Sequence, residues 1–254
     1  MNILLANDDG INAPGLCALA KQMSRLGDVY VAAPEGERSS NSHHLTIMGD
    51  LRYEERTLPY VKKAFALWGT PADCVHMGVK ALFDKDFDLV VSGINRGRNV
   101  STDIIYSGTI AAAREAFLLH VPAMAVSLNS FVSDDYEAAA EYARIIAEKF
   151  LASPILSDCF LNVNVPAIPK EEIKGILVCD KTGEITYNDV YSLVNEEGIN
   201  YIRITPSKIQ FDSNEDDLRV DLNAVKKGYV SVSALGNRHI LRKMSDQISE
   251  MLNN

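Results

Sequence analysis

Cysteine is scarce and scattered. Cys17, Cys74, Cys159 and Cys179 form no C-x-x-C, which argues against a zinc site and fits buried free thiols in a reducing cytoplasm. The five histidines are scattered too, and only His43 and His44 adjoin. Neighbouring side chains point apart on a strand or helix, so this pair suits a loop better than a metal. Basic charge is in deficit: the formal net charge is −9, against the basic stripe a nucleic-acid binder needs. No apolar run is long enough to span a bilayer. No basic segment precedes Ile3-Leu4-Leu5, so no signal peptide is expected. Three motifs are absent as well: G-x-x-x-x-G-K-[ST], a G-x-G-x-x-G after the first strand, and G-x-S-x-G. These absences disfavour a P-loop enzyme, a dinucleotide fold and a serine-hydrolase elbow. Repeats and low-complexity segments are lacking.

The chain does have a sharp transition at its start. Ile3-Leu4-Leu5-Ala6 runs into Asn7-Asp8-Asp9-Gly10. The apolar piece suits a strand buried on both faces, as at the centre of a parallel sheet. Asp8 and Asp9 then fall at a strand's carboxyl end, where open α/β sheets place ligand sites. Adjacent carboxylates repel unless a proton or cation lies between them, and a hard divalent ion is the natural partner. The same stretch also reads simply as a strand followed by an Asp-Asp-Gly turn.

At 254 residues, with 47 % apolar and 23 % charged content, the sequence bounds one large α/β domain or a domain with an appendage. Pro14 opens a helix carrying Leu16, Leu19, Ala20, Met23 and Leu26, and Gly27 suits its stop. Val29–Ala33 is the second strand, and the polar loop from Glu35 to Ser42 follows it. Leu45 to Leu58 gives no clear assignment. Ala64–Trp68 is a strand, Thr70 caps a helix opening on Pro71, and Asp88–Ser92 is a strand ending in the loop Gly93–Asn99. A helix from Ser107, a strand at Ala123–Leu128, a helix capped by Ser133 and a strand at Phe160–Val165 follow. Alternation of this kind predicts a Rossmann-like, doubly wound, mostly parallel sheet in three α/β/α layers. Ile176–Asp180, Ile185–Tyr187 and Ile199–Thr205 have no helix between them and predict an antiparallel β appendage; Tyr229–Ala234 is a later strand, and Asp212–Asp217 an acidic loop. His239–Leu252 predicts a C-terminal amphipathic helix with Ile240, Leu241, Met244, Ile248 and Met251 on one face. The expected division is 1–170 for the α/β core and 171–254 for the arm, late core strand and helix.

Three loops after three early strands should meet along one sheet edge. They offer Asp8 and Asp9, Ser39 and Ser40, and Asn95 and Asn99. Such an all-oxygen set suits Mg²⁺, Mn²⁺ or Ca²⁺, and a bound cation would let an acidic chain take a nucleotide substrate. Ser107-Gly108-Thr109 adds a helix start, whose free N–H groups and partial positive charge bind phosphate; Ser107 also reads as an ordinary N-cap. Arg96 and Arg98 flank the site as phosphate contacts or as solvated charges.

These residues resemble the SurE family, the survival-protein nucleotidases. The matching pieces are Asn7–Gly10, Ala33-Pro34 with Glu37-Arg38-Ser39, Gly69–Val75, Ser92–Gly97, Tyr106–Thr109 and Asn162–Pro166, with Gly228–Val232 similar to a late strand of the family. The resemblance implies a divalent-metal-dependent phosphatase acting on nucleoside 5′- or 3′-monophosphates, with short polyphosphate as a further substrate. It maps one Mg²⁺ or Mn²⁺ (Ca²⁺ in a crystal) onto Asp8, Asp9, Ser39 and Asn95, and phosphate binding onto Ser107, Gly108 and Thr109. Asn99 joins the substrate-binding set and Asp8 is the catalytic residue, either beside an attacking water or as an aspartyl nucleophile. Arg98 stands where the family usually has proline, and Asp180–Asn195 is acidic and polar where many members carry arginines. A homodimer or tetramer built through C-terminal segments is also implied. The rival from another class is a non-catalytic nucleotide- or metal-sensing module on the same fold. No nucleic-acid polymer or membrane partner is expected.

Overall fold

The computed structural model describes residues 1–187, 189–205, 209–212, 214–237 and 251. The first strand, β1 (Asn2–Ala6), is apolar because both faces are covered. Ile3 and Leu5 pack into one apolar layer and Leu4 and Ala6 into the other, all fully buried. Next come α1 (Pro14–Met23), β2 (Asp28–Pro34), β3 (Tyr53–Arg56), β4 (Lys63–Leu67) and α2 (Pro71–Met77). In α2 the cap is reciprocal: the Thr70 hydroxyl accepts from the Asp73 amide at 3.1 Å, and Asp73 Oδ2 accepts from the Thr70 amide at 2.9 Å. The chain continues through β5 (Leu89–Arg96), α3 (Asp103–Tyr106), α4 (Gly108–Leu118), β6 (Ala123–Asn129), α5 (Glu137–Leu151) and β7 (Phe160–Pro166). The last elements are β8 (Ile176–Val178), β9 (Glu184–Tyr187), β10 (Val190–Glu196), β11 (Ile199–Thr205), β12 (Ile209–Asp212), α6 (Asp221–Lys226) and β13 (Val230–Leu235).

Among the described residues nine strands form one sheet in the order β3-β4-β2-β1-β5-β6-β7-β13-β8. From β4 to β7 every neighbour is parallel. Helices α1 and α5 pack on one face with Ile3, Leu5, Val29 and Val91, while α2 and α4 pack on the other with Leu4, Tyr30 and Val90. The expected three-layer, doubly wound architecture is therefore present. Strand order reverses between β1 and β5, and a reversal opens a crevice at the strands' carboxyl ends. Asp8 follows β1 and Asn95 lies near the end of β5, so both border that crevice.

Several local expectations change. The segment Leu45–Leu58 contains edge strand β3, antiparallel to β4. Strand β5 runs on to Arg96 instead of stopping at Ser92, with a register shift against β6 between Ser92 and Asn95. Gly93 makes this possible: at φ 136° its missing side chain leaves room for the Val126 carbonyl, which a Cβ would meet at 2.3 Å. Ser133 does not cap α5. Its hydroxyl accepts from the Asp135 amide within a preceding turn, and the helix begins four residues later at Glu137. Short helices α3 and α6 lacked the long apolar period that would reveal them. Cys74 and Cys179 are buried, but Cys17 is exposed and Cys159 partly so; all four are free.

The largest correction concerns the C-terminal third. Ile176–Val178 is not part of an antiparallel appendage, because β8 pairs in parallel with β13 in the main sheet. β13 is itself antiparallel to β7, so the main sheet is not complete at Val165. The antiparallel arm consists of β9 paired with β12 and β10 paired with β11. Along β10 and β11, Tyr191, Leu193, Tyr201, Ile202 and Ile204 are exposed, Leu193 to 88 %. Only Met251 of the expected helix His239–Leu252 falls among the described residues. It is helical and exposed. Among the described residues no helix is long and apolar enough to cross a membrane.

Candidate active site

Asp8 leaves the end of β1 and is 3 % exposed. Behind it lies the start of α4. The Thr109 hydroxyl donates to Asp8 Oδ1 at 2.6 Å. Gly108 makes the approach possible, since a Cβ there would stand 2.9 Å from Asp8 Cβ and 3.0 Å from Pro71 Cγ. The positive end of α4 thus faces a carboxylate, which favours its ionised form. Burial works against this and prevails: it pushes the Asp8 pKa up to about 6, despite the Thr109 hydrogen bond, and the neighbouring Asp9 charge adds to the rise. Asp9 is raised as well, first by burial and then by Glu37, while Arg96's amide, donating to Asp9 Oδ2 at 3.0 Å, pulls the other way.

An open pocket of about 170 Å³ lies in front of Asp8. Its lining includes Ser39, Ser40, Asn95, Asn99 and Ser107, so loops from β2, β5 and α4 do meet there. Ser39 donates to Glu37 Oε1 at 2.8 Å, and the Asn95 side-chain amide donates to the Gly97 carbonyl at 2.9 Å, which directs its nitrogen at its own loop. Ser107 is the N-cap of α4, its hydroxyl accepting from the Ile110 amide at 3.1 Å. Thr109 is fully buried with its hydroxyl on Asp8, so it stands behind the acid rather than on the pocket wall. Arg96 turns its guanidinium toward Asp134 and Tyr136. Arg98 lies over the Phe131 ring, 5.8 Å from its centroid. Among the described residues, a larger hollow of about 500 Å³ beside Phe117 and His120 is lined by no carboxylate.

The donor chemistry fits a hard divalent ion. Two carboxylates with raised pKa values are neighbours in the chain, and one of them, Asp8, lines the same pocket as the Ser39 and Asn95 side chains. Among the described residues no group of three or more His, Cys, Asp or Glu side chains is placed to hold a metal, so an ion at Asp8 would need neutral oxygen donors such as Ser39 and Asn95 as well.

Supporting residues escaped the sequence reading. Glu115 on α4 is 5 % exposed and bridges His43 Nε2 at 2.8 Å and His76 Nδ1 at 2.7 Å. Thr46 donates through its amide and its hydroxyl to Asp73, at 2.7 and 2.9 Å, and Thr70 donates to the His44 carbonyl at 2.6 Å. These bonds fasten the chain just beyond Ser39 and Ser40 to α2 and α4. Asn99 is gripped from behind: its amide donates to Asn164 Oδ1 at 2.7 Å, its side chain donates to Ser127 at 2.9 Å, and its carbonyl accepts from Asn162 at 2.8 Å and Asn164 at 3.1 Å. The signal for the last pair was the Asn-Val-Asn-Val alternation of β7, which puts both amides on one face.

Fold and pocket together define an α/β protein with an acidic, oxygen-rich site at a strand-order reversal beside a helix start. Residues 3–188 match the model of the survival protein SurE family, and the chain belongs to that family. Among similar proteins, the 5′-nucleotidase SurE of Geobacter sulfurreducens is 42 % identical over 92 % of this chain and 87 % of its own length. The 5′-nucleotidase SurE of Heliobacterium modesticaldum is 39 % identical over 97 % and 91 %. The crystal structure of the SurE protein from Aquifex aeolicus superposes with a TM-score of 0.84 at 35 % identity, covering 99 % of each chain.

Proposed function

We propose that this protein is a divalent-metal-dependent nucleotidase that hydrolyses nucleoside 5′-monophosphates to nucleoside and phosphate. Nucleoside 3′-monophosphates and short polyphosphate are further substrates in this reading. The observation that carries it is the buried Asp8, with half-buried Asp9 next to it in the chain, on one pocket with Ser39, Asn95, Asn99 and the Ser107 helix start. The 5′-nucleotidase names of the relatives support the substrate class.

One Mg²⁺ or Mn²⁺ would be held by Asp8, Asp9, Ser39 and Asn95. When bound it supplies Lewis-acid activation of the phosphate ester. Asp8 is the catalytic carboxylate, oriented by the Thr109 hydroxyl and shielded from bulk water by its burial. Ser107 and Asn99, both on the pocket wall, bind the phosphate oxygens. One hydrogen of the Asn99 side-chain nitrogen goes to Ser127, which leaves the other to donate to a phosphate oxygen or an intervening water. Exposed Tyr106 and Phe131 on the same wall offer apolar surface to the nucleoside. Assembly as a homodimer or tetramer through residues 171–254 is part of this reading, because the exposed apolar residues of β10 and β11 favour association. The free thiols suit work in the cytoplasm.

The test is phosphate release from a panel of 5′- and 3′-monophosphates and tripolyphosphate, with Mg²⁺, Mn²⁺ or chelator. Turnover of 5′-monophosphates above the other substrates is expected. A protein that binds nucleotides without releasing phosphate would establish the sensing module instead.

A further inference from the structure

Directly after Asn99, the pocket wall makes a sharp turn through Val100, Ser101 and Thr102. Ser101 adopts φ 55°, a conformation that costs a serine energy and that surrounding bonds must hold. The holder is Asp221, fully buried and 120 residues away in sequence. Its Oδ2 accepts from the Ser101 amide at 2.8 Å, and its Oδ1 accepts from the Ser101 hydroxyl at 3.0 Å and the Leu222 amide at 2.7 Å. The Ser101 hydroxyl in turn accepts from the Gly183 amide at 3.1 Å, and the Thr102 hydroxyl accepts from the Ile185 amide at 3.1 Å. Around this joint Val100, Ile185, Val220 and Leu222 form a small buried cluster separate from the two main apolar layers. The base of the β9–β12 arm is therefore fastened to the one stretch, Asn99 to Ser107, that supplies Asn99, Asp103, Tyr106 and Ser107 to the pocket.

We infer that Asp221 is a positioning residue for substrate: through Ser101 it holds the Asn99–Ser107 wall in its phosphate-binding shape and makes that shape depend on the seating of the arm. The inference rests on the pocket being the nucleotide site. Asp221 is not one of the described residues that line the pocket. Burial raises its pKa, and the Ser101 and Leu222 hydrogen bonds oppose the rise, so an uncompensated carboxylate would not stay here without the joint. A residue that fixes a binding wall acts on substrate affinity, whereas one that only supports the fold acts on the amount of active protein.

The experiment compares full-length wild type with Asp221→Asn, which keeps the shape but turns an amide toward the Ser101 donor. Ser101→Gly is the second variant: it deletes the hydroxyl bridge, relieves the positive φ and leaves the buried carboxylate with its backbone partners. Three quantities are read: KM and kcat for a nucleoside 5′-monophosphate with Mn²⁺, the affinity for inorganic phosphate by calorimetry, and amide exchange over residues 99–107. Asp221→Asn is expected to raise KM and weaken phosphate by about tenfold together, with kcat changed less than about twofold. Exchange should speed at 99–107 and stay unchanged in β1. Ser101→Gly should show the same pattern at a smaller size, and decides the matter if the first variant does not fold. Unchanged KM and phosphate affinity in a folded variant, or a fall in kcat alone, overturns the inference. An inactive wild type overturns the nucleotidase reading instead, and phosphate affinity and exchange still decide on Asp221.

Discussion

The Thr109 hydroxyl donates to Asp8 Oδ1 at 2.6 Å, joining two residues that lie 101 positions apart. The bond ties the start of α4 to the end of β1 and leaves Asp8 one fixed orientation at the pocket. Thr109→Ala should remove it while leaving the fold intact. An unpaired buried carboxylate oxygen costs about 1–3 kcal/mol, and the loss should appear as roughly a tenfold fall in kcat with a higher Mn²⁺ requirement. Thr109→Ser, which keeps the hydroxyl, should recover most of the rate. Steady-state kinetics across a Mn²⁺ series checks both variants.

Ser107 has two tasks, capping α4 and facing the pocket. Ser107→Ala should cost about 1 kcal/mol of stability as a lost cap. It should also raise KM and weaken competition by inorganic phosphate, with no change in the Mn²⁺ requirement. A variant with the stability loss but ordinary phosphate inhibition would reduce Ser107 to a cap.

The sequence announced the parallel core clearly. Strands such as Ile3–Ala6 and Leu89–Val91 are apolar on both faces, as a covered parallel sheet requires. That Asp8, Ser39, Asn95, Asn99 and Ser107 meet at one pocket was legible for a related reason: each follows, ends or caps an element whose direction the alternation of strands and helices had fixed. What stayed hidden was pairing across long sequence distances. Ile176–Val178 reads as a strand, yet nothing local says that its partner is β13 and not its neighbour β9. Glu115 was equally opaque, since a buried acid on a helix looks like a solvated one until His43 and His76 are brought to it. Thr109 belonged to a recognisable motif, but its hydroxyl's choice of Asp8 is a matter of three dimensions.

The bridge at Glu115 carries an acid-stability prediction. Burial alone would raise this carboxylate's pKa, but hydrogen bonds from His43 and His76 outweigh it and hold the group below its ordinary value of 4.5. A carboxylate depressed in the folded state stabilises above its unfolded pKa and loses that contribution as pH falls through the folded value. Glu115→Gln should therefore be less stable than wild type near neutrality by about 1.5–3 kcal/mol, the worth of charged hydrogen bonds. The gap should close as pH drops below 4.5. Urea unfolding of both proteins across pH 3 to 7 measures it. A gap independent of pH would mean that the carboxylate charge contributes nothing.

The central claim is that hydrolysis depends on a divalent ion held at Asp8. Its most direct measurement is phosphate release from a nucleoside 5′-monophosphate by protein stripped with chelator and then titrated with Mn²⁺, for wild type and for Asp8→Asn. Wild type should be silent when stripped and regain full turnover with the ion. Asp8→Asn, with unchanged thermal unfolding, should stay at least about a thousandfold slower at every Mn²⁺ concentration. Full wild-type turnover in excess chelator, or an Asp8→Asn variant that matches wild type, would contradict the claim.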